Sequence, residues 1–106
     1  MTKFVLLFPR KKGLNHDQFM HEWRDVCAPK VTKLPGLRRF VINPVIEQPG
    51  SAELRYDGIA EWWFDDEATG KAALDSPQGK ALIEEMPNFV DMDNFTLSVT
   101  EEITLK

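Results

Sequence analysis

The chain has 106 residues and a mass of 12.2 kDa, enough for one domain with a modest core and too short for two. Its hydrophobic fraction of 42%, with seven Phe, three Trp and one Tyr, points to a packed domain rather than a disordered chain. The net charge of −4 comes without a basic stripe, which argues against nucleic acid as a partner, and the single cysteine rules out an internal disulfide and a cysteine-built zinc site.

The first element is Lys3–Pro9, dense in Val, Leu and Phe, which reads as a central strand. Its apolar run is too short, and too closely followed by Arg10, Lys11 and Lys12, for a signal peptide or a membrane span. A reducing, cytoplasmic setting is expected, and the three basic residues read as a solvated loop. Gly13-Leu14 turns the chain. Asn15 then suits a helix N-cap, with Gln18 completing a capping-box-like pattern. Phe19, Met20, Trp23, Val26, Cys27 and Val31 recur at helical spacing, opposite Gln18, His21, Glu22 and Asp25. Pro29 lacks a backbone donor and is expected to kink or end the regular helix near Cys27.

Leu34-Pro35-Gly36 closes this unit, Leu37–Ile46 is a second strand, and Gln48–Leu54 is a polar loop. Tyr56–Phe64 is a third strand. Asp65-Asp66-Glu67 opens a helix to about Leu74, with acidic residues at the positive end of its dipole. Ser76-Pro77 restarts helix as N-cap and first-turn proline, to about Met86. Phe95–Thr104 is the last strand, with Phe95, Leu97, Val99 and Ile103 on one side and Thr96, Ser98, Thr100 and Glu102 on the other. The order β-α-β-β-α-β is the split βαβ, or ferredoxin-like, α+β arrangement: an antiparallel four-stranded sheet with two helices on one face. Phe4, Leu6 and Phe8 alternate with Val5 and Leu7, so the first strand is apolar on both sides, and the second and third strands share this property. A second copy of the chain is the simplest cover for the other face, which predicts a two-fold homodimer.

The segments RKKGLNHDQFMHEW, APKV, LPGLRRFVIN and YDGIAEWWFDD resemble the EthD family of dimeric α+β barrels, closely from about Lys3 to Phe64 and more loosely beyond. The resemblance implies one domain over residues 1–106, a ferredoxin-like protomer that pairs through its sheet, and a small pocket between the first helix and the sheet. EthD-like proteins are similar to bacterial proteins associated with breakdown of small organic compounds. Relatives on the same fold include lactone isomerases, polyketide cyclases, decarboxylases and monooxygenases, so fold alone selects no chemistry. The family pattern has a histidine just before the Ala-Pro of the first helix and, in many members, another near the end of the last strand after a Glu-Glu pair. This chain has Cys27 and Ile103 there. His16, in the first helical turn, and His21, on the solvent side, do not replace them by spacing.

Three sets of residues remain as candidates for chemistry. Cys27 is a nucleophile or weak acid if its pKa is lowered, and a small inert hydrophobe otherwise. Asp57 and Glu61 share a strand parity with Ile59 and Trp63. If that face meets the helices, desolvation raises a carboxyl toward acid–base values. Otherwise the two are edge charges or partners of Arg38 or Arg39. Phe19, Trp23, Val31, Tyr56, Trp62 and Trp63 suit a pocket for a flat apolar ligand, or are simply core. No cofactor fingerprint and no metal-ligand spacing is present, so no cofactor and no metal is expected. Two functions follow: a protein that binds a small hydrophobic compound in an accessory, catabolic role, or a cofactor-free lyase, isomerase, cyclase or monooxygenase working by proton transfer on a small oxygenated substrate.

Overall fold

Alternation sends Phe4, Leu6 and Phe8 to one side of strand β1 (Thr2–Phe8) and Lys3, Val5 and Leu7 to the other. In the computed structural model, which describes residues 1–106, the first set is buried and the second half-buried. Strands β2 (Arg39–Pro44), β3 (Gly58–Phe64) and β4 (Thr96–Glu101) complete one sheet in the order β2-β3-β1-β4, every pair antiparallel. This is the ferredoxin-like α+β fold. The strands start or stop one to three residues inside several of the expected limits, and Tyr56 falls before β3.

Helix α1 spans residues 16–31 and is longer and less regular than Pro29 suggests. Asn15 Oδ1 accepts from the Gln18 N–H at 2.8 Å, and Gln18 Oε1 accepts from the Asn15 N–H at 2.9 Å, so the capping box is complete. The helix is α over His16–Met20, π over His21–Cys27, and α again over Ala28–Val31. The Ala28 N–H donates to the Trp23 carbonyl, five residues back. The widened turn places Pro29 in the first turn of a fresh α segment, where its missing N–H costs nothing, so the helix continues through it. Phe19, Trp23, Cys27 and Val31, spaced by four, are all buried. At 100° per residue, a pure α-helix carries such a series about 40° off line at each step. The π turn rotates less per residue and holds the four in one row. Gly36, at φ +77°, adopts the left-handed turn that leads into β2.

Helices α2 (Glu67–Asp75) and α3 (Pro77–Glu85) follow β3. Asp66 caps the first by accepting from the Thr69 N–H at 2.7 Å, and Ser76 caps the second through the Gly79 N–H at 3.1 Å. Two short 3-10 turns, Met86–Asn88 and Met92–Asn94, lead to β4, and an isolated bridge pairs Arg10 with Val90.

All helices lie on one face of the sheet, over Phe4, Leu6, Phe8, Ala60, Trp62 and Phe64. Phe8 centres the core: its ring meets Trp23 at 5.1 Å and 80° and Phe89 at 5.9 Å and 83°, both edge-on. Gly58 makes room for this cluster, since a Cβ there would stand 2.7 Å from Phe8 and 2.8 Å from Trp23. The other face has no helix. It presents Val5, Leu7, Val41 and Ile59 among Lys3, Arg39, Asn43 and Glu61.

Candidate binding site

The sequence candidates do not converge. Phe19, Trp23, Cys27 and Val31 lie in the core under α1. Glu61 and Trp63 lie on the opposite, helix-free face, and Asp57 and Tyr56 lie at the entrance to β3. The pocket implied between α1 and the sheet is closed. What remains there is a void of about 10 Å³ with wholly hydrophobic walls, among them Trp23, Cys27, Phe40, Trp62 and Met86. That is about the space of a single water, with no polar partner for one. The two indoles and Met86 fill the volume that an open pocket requires.

Burial pushes the Cys27 thiol up to about 12, helped by the negative charge of Glu85 and only partly opposed by Lys30. Such a thiol stays protonated at neutral pH and is a poor nucleophile. His21 offers no base: it hydrogen-bonds Asp25 at 3.3 Å on the solvent side, with its own side chain 65% exposed.

Glu61 is where the desolvation argument fails. Its face does not meet the helices, because the small residues Gly58 and Ala60, with Trp62, occupy the parity that does. Burial alone raises the Glu61 carboxyl. Asn43 Nδ2 donating at 2.9 Å, Lys3 Nζ at 3.1 Å and the charge of Arg39 outweigh it and hold the group below the ordinary glutamate range. Its partner is Lys3, not Arg38 or Arg39; Arg38 pairs with Asp65 at 2.8 Å. Asp57 accepts the Arg10 N–H at 2.7 Å, while its own N–H donates to the Phe8 carbonyl at 2.9 Å, so it ties the end of β1 to the start of β3. Trp63 is buried on the open face beneath Arg39, 4.6 Å from the ring centre, and Lys3, 5.4 Å from it.

The concavity that can hold an organic molecule lies elsewhere, between α3, the turn after it and β4. It has about 160 Å³ of space and eight lining residues, all hydrophobic; Leu6, Trp62 and Met86 form its floor, and Phe95 and Leu97 its β4 side. A cavity of about 150 Å³ with such walls accommodates benzene. Ile83, Met92 and Leu97 at the rim are 47%, 38% and 38% exposed, so the groove opens to solvent through apolar edges. Leu6, Trp62 and Met86 also wall the small void, so these three side chains separate the groove from the space beneath Cys27. The Trp62 indole Nε1 is buried and has no hydrogen-bond partner. An unpaired buried donor costs about 1–3 kcal/mol. The signal for this groove in the sequence is the apolar parity of β4, an edge strand whose Leu97 and Val99 exceed the cover that two short helices provide. A larger cleft of about 420 Å³, edged by Asp65, Asp66, Glu67 and Glu101, is shallow and polar and offers no desolvated wall. No three His, Cys, Asp or Glu side chains are grouped to hold a metal ion, and no helix is long and apolar enough to cross a membrane.

A four-stranded antiparallel sheet with its helices on one face and an apolar groove beneath them defines a ferredoxin-like α+β domain with a candidate site for a small molecule. Residues 11–93 match the model of the EthD domain, and the chain belongs to the EthD family. The comparison with curated proteins found no match. Among solved structures, the chain is similar to an ethyl tert-butyl ether D (EthD) family protein from Bacillus halodurans, with 24% identity over 97% of this chain and 99% of that one and a TM-score of 0.85. It is also similar to a dimeric protein of ferredoxin-like fold from Bacteroides fragilis, at 13% identity over 95% of each chain and a TM-score of 0.70. A dimeric ferredoxin-like protein from Thermobifida fusca matches at 15% identity over 93% of this chain and 88% of that one, with a TM-score of 0.71. At these identities the likeness is one of fold.

Proposed function

We propose that the protein binds a small, uncharged, hydrophobic organic compound and serves an accessory role in the cytoplasmic degradation of such molecules, working as a homodimer paired through the helix-free face of its sheet. The observation that carries the reading is the groove between α3 and β4, whose lining is wholly apolar. Its size suits a ligand of about benzene's bulk, and its walls give a charged or strongly polar ligand no compensation for lost water. No titratable side chain faces it, and Cys27 behind its floor is held as a neutral thiol, which favours binding over proton-transfer catalysis.

The homodimer draws its support from the uncovered apolar side chains Val5, Leu7, Val41 and Ile59 and from the dimeric state of similar structures. A sheet with one packed face and one such face is a usual place for self-association.

The test is extraction of the purified protein under mild denaturation, with mass spectrometry of the released small molecules against a matched blank. The reading expects a neutral hydrophobic compound, near-stoichiometric and lost in a Leu97→Trp variant whose groove is filled. Consistent absence of any compound from extracts, together with no thermal stabilisation by a panel of small neutral aromatics and ethers, overturns it.

A further inference from the structure

We propose that β4 pairs edge to edge, antiparallel, with β4 of a second copy of the chain, and that Ile103 and Leu105 of that copy close the open side of the groove. The association goes beyond the proposed binding function and needs no ligand. β4 stands at one end of the strand order, so one of its edges has no neighbour. The Glu102 N–H donates to the Met1 carbonyl at 3.0 Å, so the even-numbered residues of this line turn their backbone groups toward β1. The odd-numbered residues Leu97, Val99 and Glu101 turn theirs outward, as a row of unpaired donors and acceptors. The same odd residues send their side chains to the helix side, since Leu97 lies opposite Leu6 and Val99 opposite Phe4. Leu97 and Val99 are exposed, and residues 102–106 continue the alternation past the strand with Ile103 at 73% and Leu105 at 92% exposed. Pairing through the helix-free face does not cover this line, because it faces the other way.

A second copy fits because the line is complementary to itself. About a two-fold axis at Thr100, Leu97 faces Ile103, Phe95 faces Leu105 and Val99 faces Glu101, each reciprocally. In every one of these pairs the outward backbone groups meet and the side chains share the helix side. Centring the axis on Glu101 would set that carboxylate directly against its copy. Centring it on Val99 would set Leu97 against Glu101 and Leu105 against Asp93. The axis at Thr100 avoids both and brings Lys106 opposite Asn94, beside Asp93. Phe95 and Leu97 form the β4 side of the groove, so Leu105 and Ile103 of the second copy stand where it opens to solvent and complete its wall. The contact is short, and Glu101 and its copy are diagonal neighbours about 7–8 Å apart, so this step is weaker than association through a whole sheet face.

Sedimentation velocity of the full chain, from about 1 µM to about 1 mM, tests the proposal. The mass is expected to double reversibly above the micromolar range. Ile103→Lys should weaken that step at least about tenfold. Ile46→Lys, at a residue of the β2–β3 loop that is 95% exposed, should leave it unchanged. Both residues are exposed in the single chain, so neither substitution threatens the fold. Cysteines read the register under mild oxidation with oxidised glutathione. The Leu97→Cys/Ile103→Cys double variant should form a disulfide-linked dimer, since facing Cα atoms of this kind stand about 5.5 Å apart. Neither single variant should, because each new cysteine then lies about 20 Å from its copy. Cys27, buried and held neutral, stays out of the exchange. Val41→Asp, which strikes the helix-free face, should leave the β4 step in place, so the two assemblies fail separately. A mass that does not rise with concentration, equal effects of the two lysines, or single cysteine variants that cross-link as well as the double one overturn the β4 pair. Loss of the step in Val41→Asp assigns it to the sheet face and overturns it too.

Discussion

Lys3 Nζ sits 3.1 Å from Glu61 Oε2, diagonally across the β1–β3 pair, on the sheet face that carries no helix. The contact is a small network rather than a lone pair. Lys3 also reaches Glu102 at 3.5 Å and lies over the Trp63 ring, while Asn43 donates to the other Glu61 oxygen. The hydrogen bond to Glu61 raises the Lys3 ammonium above its ordinary value, and the same network lowers Glu61.

The Glu61 carboxyl is therefore expected to titrate below about 4.3 in the native protein. Because the folded-state pKa is the lower one, the network stabilises the fold above that value, and the stabilisation is lost as pH falls through the folded pKa. Lys3→Met should raise the Glu61 pKa, and the stability it removes at pH 7 should shrink as pH falls through the native Glu61 pKa. Carbon-detected NMR titration, and urea unfolding followed across that titration, check this. A native Glu61 pKa above 4.3 would contradict the network.

Cys27 gives the opposite sign. Its folded pKa, pushed up to about 12, exceeds the free thiol value of about 8.5. Its contribution is fully present below pH 8.5 and declines as pH rises toward 12, because the unfolded chain ionises there and the native one does not. Cys27→Ala should cost about 1 kcal/mol at pH 7 and flatten the fall in stability above pH 8.5. In the native protein, a thiol reagent at pH 7 should label the residue slowly, and quickly once the chain is unfolded. Rapid native labelling would mark a working thiol instead.

Gly58→Ala tests the close approach of β3 to the aromatic cluster. The added methyl would meet the rings of Phe8 and Trp23, both buried, at 2.7 and 2.8 Å. Both rings border only the void of about 10 Å³, too little to take up the displacement, so the substitution should cost about 1–3 kcal/mol in unfolding free energy, measured by urea titration. A neutral result would show that the cluster repacks.

Light scattering should give about twice the 12.2 kDa chain mass at micromolar concentration. Val41 lies on the helix-free face opposite Glu61 in the β2–β3 pair. Val41→Asp would bury an unpaired charge if this face is the interface, and should yield a monomer with an unchanged far-ultraviolet circular dichroism spectrum. A monomeric wild type, or a Val41→Asp dimer, would remove the sheet-paired assembly.

The order of elements was legible because each has a strong local signal: Asn15 with Gln18, Asp66, and Ser76-Pro77 mark helix starts, and the strands are dense in β-branched and aromatic residues. The facing of β3 was not. Trp62 and Trp63 are adjacent and both large, so the pattern of big side chains alone cannot tell the packed face from the open one. The small residues decide it: Gly58 and Ala60 leave space for Phe8 and Trp23, and their parity carries Trp62 inward and Glu61 outward. The course of α1 through Pro29 was also hidden, because a proline reads as a stop unless the preceding turn widens. The groove was missed for another reason. It arises where α3, a 3-10 turn and an edge strand fail to close over Leu6 and Trp62, a mismatch of lengths in space of which the apolar parity of β4 records only one side.

The π turn of α1 has a consequence for chain length. A turn closed five residues back holds one residue more than an α turn needs, so the helix carries slack in its own sequence. That slack is tied to Pro29: removal of exposed Asp25 would let the turn close as plain α and would leave the proline in a helix interior, without an N–H for the carbonyl four residues back and with its ring crowding it. The surplus residue and the proline therefore form one feature of the first helix, and neither can revert to an ordinary helical sequence alone.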